Sequence, residues 1–372
     1  MFPSARSVAA SRCDRLYRRP IRGHCQPLSS VAANSARWRQ ARMRMLRSAA
    51  VLGVALGIQQ LGPALADTGR SFDRVSFYFA AHEDDWQLFM NPSAFEDVSN
   101  ANTKTVFIHM TAGDDGLGTG TGGRKHPFYL ARENGADAAI RFMANSDYQP
   151  PAEESVEDVE VKGHRLHRVS YRNAVAYYFR VPDGNGTGAG YPSTGFQSLK
   201  RLADGQIRTL AAIDSSTVYG GWSDLVSTLR AVLDLERGHA PAVQLNVAEL
   251  DPVRNPGDHS DHILTARAAL DAAKDLTCAR RLHYVEYASS HLPENLDARA
   301  RDMESSVFAV TVAAVSAFDH STAWHRYDQN YVGRSYFRVE EGTGRCDAAF
   351  AAAAHPSAAY AIRAGIQDVS GK

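Results

Sequence analysis

The chain has 372 residues, 44% of them hydrophobic and 22% charged, the proportions of a globular protein with a sizeable core. Its formal net charge is zero from 41 basic and 41 acidic residues, but eleven arginines and a single acid, Asp14, precede Asp67. That leaves 30 basic against 40 acidic residues, a balance that argues against a nucleic-acid binder, because phosphates demand a basic face.

Residues 1–66 read as a leader. Arg42, Arg44 and Arg47 form a basic region, residues 49–58 a short apolar run, and Ala64-Leu65-Ala66 a small-x-small cleavage site. The apolar run is too short for a stable membrane span. An Arg-rich organelle transit peptide is the alternative. The leader predicts an exported protein, periplasmic or extracellular, whose mature chain starts at Asp67. N-terminal sequencing of the exported protein checks this, and a cytoplasmic product that retains residues 46–66 would refute it. Cys13 and Cys25 leave with the leader. Cys278 and Cys346 remain as an even pair, either a disulfide or two buried thiols.

Residues 74–79 (RVSFYF) read as a buried strand. A mixed helix or turn segment follows at 86–98, then a second strand at 105–110 (TVFIHM) and a glycine-rich loop at 113–123. Pro127 suits the first position of a helix that runs to about residue 145. Residues 150–215 break this rhythm. Segments 159–161, 166–171 and 174–181 read as a β-meander, and 183–195 as a Gly/Pro/Ser/Thr-rich loop, together a β-rich insertion bordering the cleft. The rhythm returns with a helix at 223–237, marked by Leu225, Leu229, Val232 and Leu233 at helical spacing. A strand at 242–247, a helix at 259–274, a strand at 281–287 and a long helix at 297–318 complete it. The alternation predicts an α/β fold with a mainly parallel sheet in a single domain over 67–342, followed by an Ala-rich tail at 343–372.

Two clusters carry chemistry. His82-Glu83-Asp84-Asp85 follows the first strand, at the carboxyl edge where open α/β sheets place their sites. Asp258-His259-Ser260-Asp261-His262 opens a later helix. Asp258 is a good N-cap with Asp261 three residues on, which puts His259 and His262 in the first turn on one face. A helix N-terminus discourages a charged imidazole and so favours metal ligation. His82, these histidines and a carboxylate from the first cluster supply N and O ligands suited to zinc. Three protein ligands would make a catalytic site and four a structural one. Either cluster alone is also what a solvated acidic loop or a capped helix looks like.

The pair of clusters resembles the PIG-L (LmbE-like) de-N-acetylase family. Its members carry His-Pro-Asp-Asp after a strand and His-x-Asp-His later. Thr111-Ala112-Gly113-Asp114 is similar to the family's Thr-x-Gly-Glu stretch, and Arg132-Glu133 to its helical Arg-Glu region. The similarity spans roughly residues 72 to 320, with a faint further counterpart at His320-Ser321. Glu83 stands where the family has Pro, Trp86 where many relatives have an acid, and Asp114 where they have Glu. The resemblance implies a three-layer Rossmann-like sandwich and zinc ligands at His82, Asp85 and His262. It implies Asp84 as general base, His259 as oxyanion stabiliser or acid, Asp261 as the residue that orients a histidine, and Arg132 as a substrate binder. The implied substrate is an N-acetylated glucosamine-type conjugate. A zinc amidase or esterase on another acyl compound, and a carbohydrate-binding protein with a structural metal, remain alternatives. Trp86, Tyr219, Trp222 and Trp324 are candidates to stack on a sugar, each also at home in a core. Oligomeric state is not legible.

Overall fold

The computed structural model describes residues 71–147 and 152–343. The chain divides into two units, Met1–Ala66 and Asp67–Lys372, and every described residue belongs to the second. The leader motifs, Cys13, Cys25, Cys346 and the tail from 344 lie outside the described residues. Cys278, inside them, is disulfide-bonded.

The first half of the chain forms β1 (Arg74–Ala80), α1 (Asp85–Phe89), α2 (Ser93–Ser99), β2 (Thr103–Thr111), α3 (Phe128–Ala144), β3 (Ser155–Val161), β4 (His164–Tyr171) and β5 (Ala174–Val181). Next come α4 (Leu199–Ala203), a small hairpin of β6 (Leu210–Ala211) and β7 (Val218–Tyr219), then α5 (Trp222–Arg237), β8 (Ala242–Ala248) and α6 (Ser260–Ala272). The remainder is β9 (Arg280–Tyr284), a 3-10 turn at Tyr287–His291, α7 (Ala298–Ala317), α8 (Trp324–Asn330) and β10 (Phe337–Glu340).

Eight strands form one sheet in the order β10-β9-β8-β1-β2-β5-β4-β3. β1 lies parallel between β2 and β8, and β2–β5 and β8–β9 are parallel too. Such strands are covered on both faces, which is why β1 and β8 are buried along nearly their whole length rather than at alternate residues. Alternate residues serve two cores. Tyr78 and Ala80 join the cluster under α1, α2, α3 and α7, and α6 packs against β1 and β8. The fold is the three-layer α/β arrangement expected.

The β-rich segment extends this sheet directly. β5 pairs in parallel with β2, Thr105 opposite Ala174, and β4 and β3 follow it antiparallel to the edge. β10 closes the other edge, antiparallel to β9. Neither that pairing nor α8 is legible in the sequence, since Phe337–Glu340 is four residues long and α8 has no buried residue to set a period.

The connection from β1 leads to β2 on one side, and the chain later returns to β8 on the other. This change of direction opens a crevice beyond the carboxyl ends of β1 and β8, the position at which doubly wound sheets hold their ligands. The loops that leave those two ends carry residues 81–85 and 249–259. Among the described residues, no helix is long and apolar enough to cross a membrane.

Candidate metal centre

His82 leaves β1 in a tight turn closed by its own cluster. Its backbone N–H donates to Asp85 Oδ2 at 2.7 Å, and the Asp85 amide reaches back to the His82 carbonyl at 3.4 Å. One Asp85 oxygen is thereby tied to the turn and the other, Oδ1, faces inward.

The β8–α6 loop delivers the second cluster. Asp258 does not cap α6. His259 does, its Nδ1 accepting from the Asp261 amide at 3.1 Å. Asp258 sits one residue too early for that task. Its Oδ2 accepts from Asn255 at 2.7 Å and its Oδ1 takes the His262 Nδ1 proton at 2.9 Å. A carboxylate can only accept here, so Nδ1 carries a proton and Nε2 faces the other cluster.

The two clusters meet in a triangle of donor atoms. His82 Nδ1 lies 3.2 Å from His262 Nε2, and Asp85 Oδ1 lies 3.4 Å from the first and 3.3 Å from the second. All three residues are at most 5% exposed. Two imidazole nitrogens and a carboxylate oxygen this close in a buried site need positive charge among them, whether protons on the rings or a bound cation. The protonation energetics carry the same signature. Burial opposes charge on both imidazoles, yet the surrounding carboxylates outweigh it and hold His82 and His262 well above the ordinary histidine range. Three overlapping groups here have the spacing to hold a metal ion: His82 with His259 and His262, His82 with Asp183, His259 and Asp261, and Asp258 with His262 and Glu286.

Each histidine of the triangle is backed by acids, the arrangement that fixes ring orientation in metal sites. His262 Nδ1 meets Asp258 and, at 2.7 Å, Glu286 Oε2. His82 Nε2 is buried without a hydrogen-bond partner and faces Asp183 Oδ2 and Asp261 Oδ2, each at 3.8 Å. The Asp261 carboxylate lies 3.9 Å from His259 Nδ1 and accepts from the Gly184 amide at 2.7 Å. What Asp261 gives His259 is its backbone N–H. A Cβ at position 184 would lie 2.4 Å from Asp261 Oδ1, so this approach requires glycine.

His259 is a different kind of histidine. Burial and the neighbouring His82 push it down to about 4. It is therefore neutral, and because Nδ1 accepts from a backbone amide its proton is on Nε2. The ring is a hydrogen-bond donor beside the triangle.

Asp84 and Arg132 face each other across the cleft wall. Arg132 Nη2 pairs with Asp84 Oδ1, its Nε with Glu83 Oε2 at 3.0 Å, and its Nη1 donates to the Gly113 carbonyl at 3.0 Å. Arg132 thus has most of its donors engaged within the protein. Glu83, in the position of the family's proline, is 1% exposed, and burial pushes its carboxyl up to about 8 against the pull of Arg132. Gly113 has φ +50°, and a Cβ there would come within 2.6 Å of Glu83 Oε2 and 2.8 Å of Arg132 Nη1. We expect Gly113→Ala to lose about 1–2 kcal/mol from the left-handed backbone alone and to displace the Glu83–Arg132–Asp84 group. The check is a thermal melt beside turnover, and an unchanged melting temperature with unchanged turnover would refute it.

A cleft of about 450 Å³ opens over His82, Asp84, Asp85, Arg132 and His259. Its lining is rich in aromatic rings: Tyr287, Tyr331 and Tyr327 form one contiguous wall, and Tyr191 and Phe128 line it too. None of the four aromatic candidates from the sequence lines it. Trp86 and Tyr219 are fully buried, Trp222 bonds Asp271, and Trp324 stacks on Phe308 behind the wall. Sequence reading also missed Glu286, Asp183 and the role of Asp258. Glu286 had one available signal, its place just beyond the carboxyl end of a parallel strand. Asp183 lies in a loop with no periodicity to mark it. No family model, curated protein or solved structure matches this chain.

Proposed function

We propose that the chain is a zinc-dependent hydrolase that removes the N-acetyl group from a glucosamine-type sugar conjugate. The observation that carries this reading is the triangle of His82 Nδ1, Asp85 Oδ1 and His262 Nε2 at the edge of an open cleft. Donors 2.0–2.1 Å from a tetrahedral zinc stand about 3.3–3.4 Å apart, and the three measured edges are 3.2, 3.3 and 3.4 Å. Two of the three, His82 and Asp85, line the cleft, and three protein donors beside an open cleft suit a catalytic rather than a structural zinc. The likeness of both motifs to the PIG-L pattern supports the same reading from the sequence.

Zinc held there would supply Lewis acidity and lower the pKa of water at the site. The chain's own residues divide the rest of the work. Asp84, with Oδ1 held by Arg132, keeps Oδ2 to accept the proton that attack on the acetyl carbonyl releases. His259 aims a neutral Nε2–H at the oxygen on which negative charge grows. Arg132 positions Asp84, and its cleft-facing side remains a contact for substrate. The tyrosine wall offers apolar faces with polar rims, which suit a sugar ring.

The test is zinc content of the purified protein together with acetate release from N-acetylglucosamine conjugates. Stoichiometric zinc with release of acetate and a primary amine is the expected result. Zinc with no hydrolysis of any acyl amide would refute the hydrolase reading.

A further inference from the structure

The triangle uses one edge of the His82 ring. Nδ1 faces Asp85 and His262. Nε2 points the other way, to Asp183 Oδ2 and Asp261 Oδ2, each at 3.8 Å. That nitrogen is buried and makes no hydrogen bond among the described residues, and neither does Asp261 Oδ1. His82 is 5% exposed and Asp261 0%. A ring N–H donated to a carboxylate would stand about 2.7–2.9 Å from it, so 3.8 Å to two oxygens at once is not the spacing of a donated proton. Two ligands of one ion, each about 2.1 Å from it, can stand up to about 4.2 Å apart. His82, Asp183, Asp261 and His259 offer donor atoms that all lie within 4.8 Å of one another.

The local charge is one-sided. Asp85, Asp183 and Asp261 are buried, and the Asp258 side chain is 0% exposed. Arg132, the arginine nearest to them in the sequence of contacts, is already held by Glu83 and Asp84. A divalent ion in the triangle offsets two of these four carboxylates. Buried carboxylates are costly unless positive charge accompanies each of them.

We propose that Asp183, Asp261 and Nε2 of His82 form a second divalent-cation site, so that the His82 ring is shared between two ions. This rests on the metal reading of the triangle, not on the substrate assigned to the cleft. A ring that offers a lone pair at both nitrogens has released both of its protons to solvent and carries one negative charge. That charge and the carboxylates of Asp85, Asp183 and Asp261 together match the four positive charges of two divalent ions. His82 and Asp183 both line the cleft, so an ion between them has a side open to a substrate oxygen. His259 keeps its Nδ1 on the Asp261 amide and its part as a donor.

The full-length protein, stripped of metal, is titrated with zinc by equilibrium dialysis beside Asp183→Asn and Asp85→Asn. The unaltered protein should bind two zinc ions per chain. Asp183→Asn should keep one at unchanged affinity and bind the other at least about tenfold more weakly, since even a residue that only supports a ligand costs that much. The retained ion shows that this variant is folded. Asp261→Asn should behave in the same way and takes its place where Asp183→Asn does not fold. Cobalt then reports whether the ring is shared: the electron paramagnetic resonance signal of the doubly loaded protein should be broadened by the second ion, and that of singly loaded Asp183→Asn should not. One ion per chain in the unaltered protein, two ions held at unchanged affinity by both the Asp183 and Asp261 variants, or an unbroadened signal from the doubly loaded protein would each overturn the second site. Acetate release is followed separately. A single ion that Asp85→Asn loses, with acetate released, would leave the hydrolase reading intact; two ions with no hydrolysis would defeat that reading and leave the second site standing.

Discussion

Asp85→Ala is expected to abolish metal binding, while its neighbour Asp84→Asn should keep the metal and lose turnover by about 10²–10⁴-fold, the usual cost of a missing general base. The two side chains are chemically identical and adjacent, so the difference is one of placement. Asp85 Oδ1 lies within 3.4 Å of both inward-facing imidazole nitrogens, and removing it takes away the one anionic oxygen between two rings whose nitrogens stand 3.2 Å apart. Asp84 points the other way, to Arg132. An outer partner of a ligand costs roughly 10–100-fold in metal affinity, and Asp85→Ala should exceed that. Asp85 also closes the turn through the His82 amide. Asp85→Asn, which keeps an acceptor for that amide but removes the charge, separates a lost metal from a lost fold. His262→Ala should follow Asp85→Ala. The measurement is zinc per chain beside acetate release. Metal lost from Asp84→Asn but kept by Asp85→Ala would reverse the assignment.

His259→Ala retains the metal and slows turnover by about 10²–10³-fold, the cost of one oxyanion donor. The same substitution removes the cap of α6, which carries its own cost of about 0.5–2 kcal/mol in stability. His259→Asn distinguishes the two. Asparagine caps a helix well, so this variant should melt close to the unaltered protein, yet its shorter side chain cannot place a donor where Nε2–H stands. A stable, metal-loaded and slow His259→Asn is the expected outcome. Full activity in that variant would place the oxyanion donor elsewhere.

Much of the scaffold is legible in one dimension because it depends on local pattern. The runs that become β1, β2 and β8 are rich in apolar residues and buried over nearly their whole length, as strands covered on both faces are. The spacing of Leu225, Leu229, Val232 and Leu233 marks the buried face of α5. Pro127 marks the start of α3, as its N-cap rather than its first residue. The chemical character of the two loops, His with acids in each, is likewise present in the residue types alone. Their resemblance to one motif pair suggested that His82, Asp85 and His262 belong together. No spacing between them did.

The sequence by itself determined most of the longer elements and which two loops carry ligand-type residues. Only the tertiary structure decided what faces what, because strand order and register depend on contacts between distant segments and leave no local trace. The parallel pairing of β1 with β8, Arg74 opposite Ala242, brings His82 and His262 to one crevice although 180 residues separate them. The loop after β5 then contributes Asp183 and Gly184, whose acid and amide meet His82 and Asp261. The cap of α6 fell to His259 rather than Asp258, which freed Asp258 to hold His262 and left His259 a neutral donor. That choice is made by one residue's backbone angles, and it sets two histidines of the same loop apart: His262 has acids at both ring nitrogens, and His259 caps the helix.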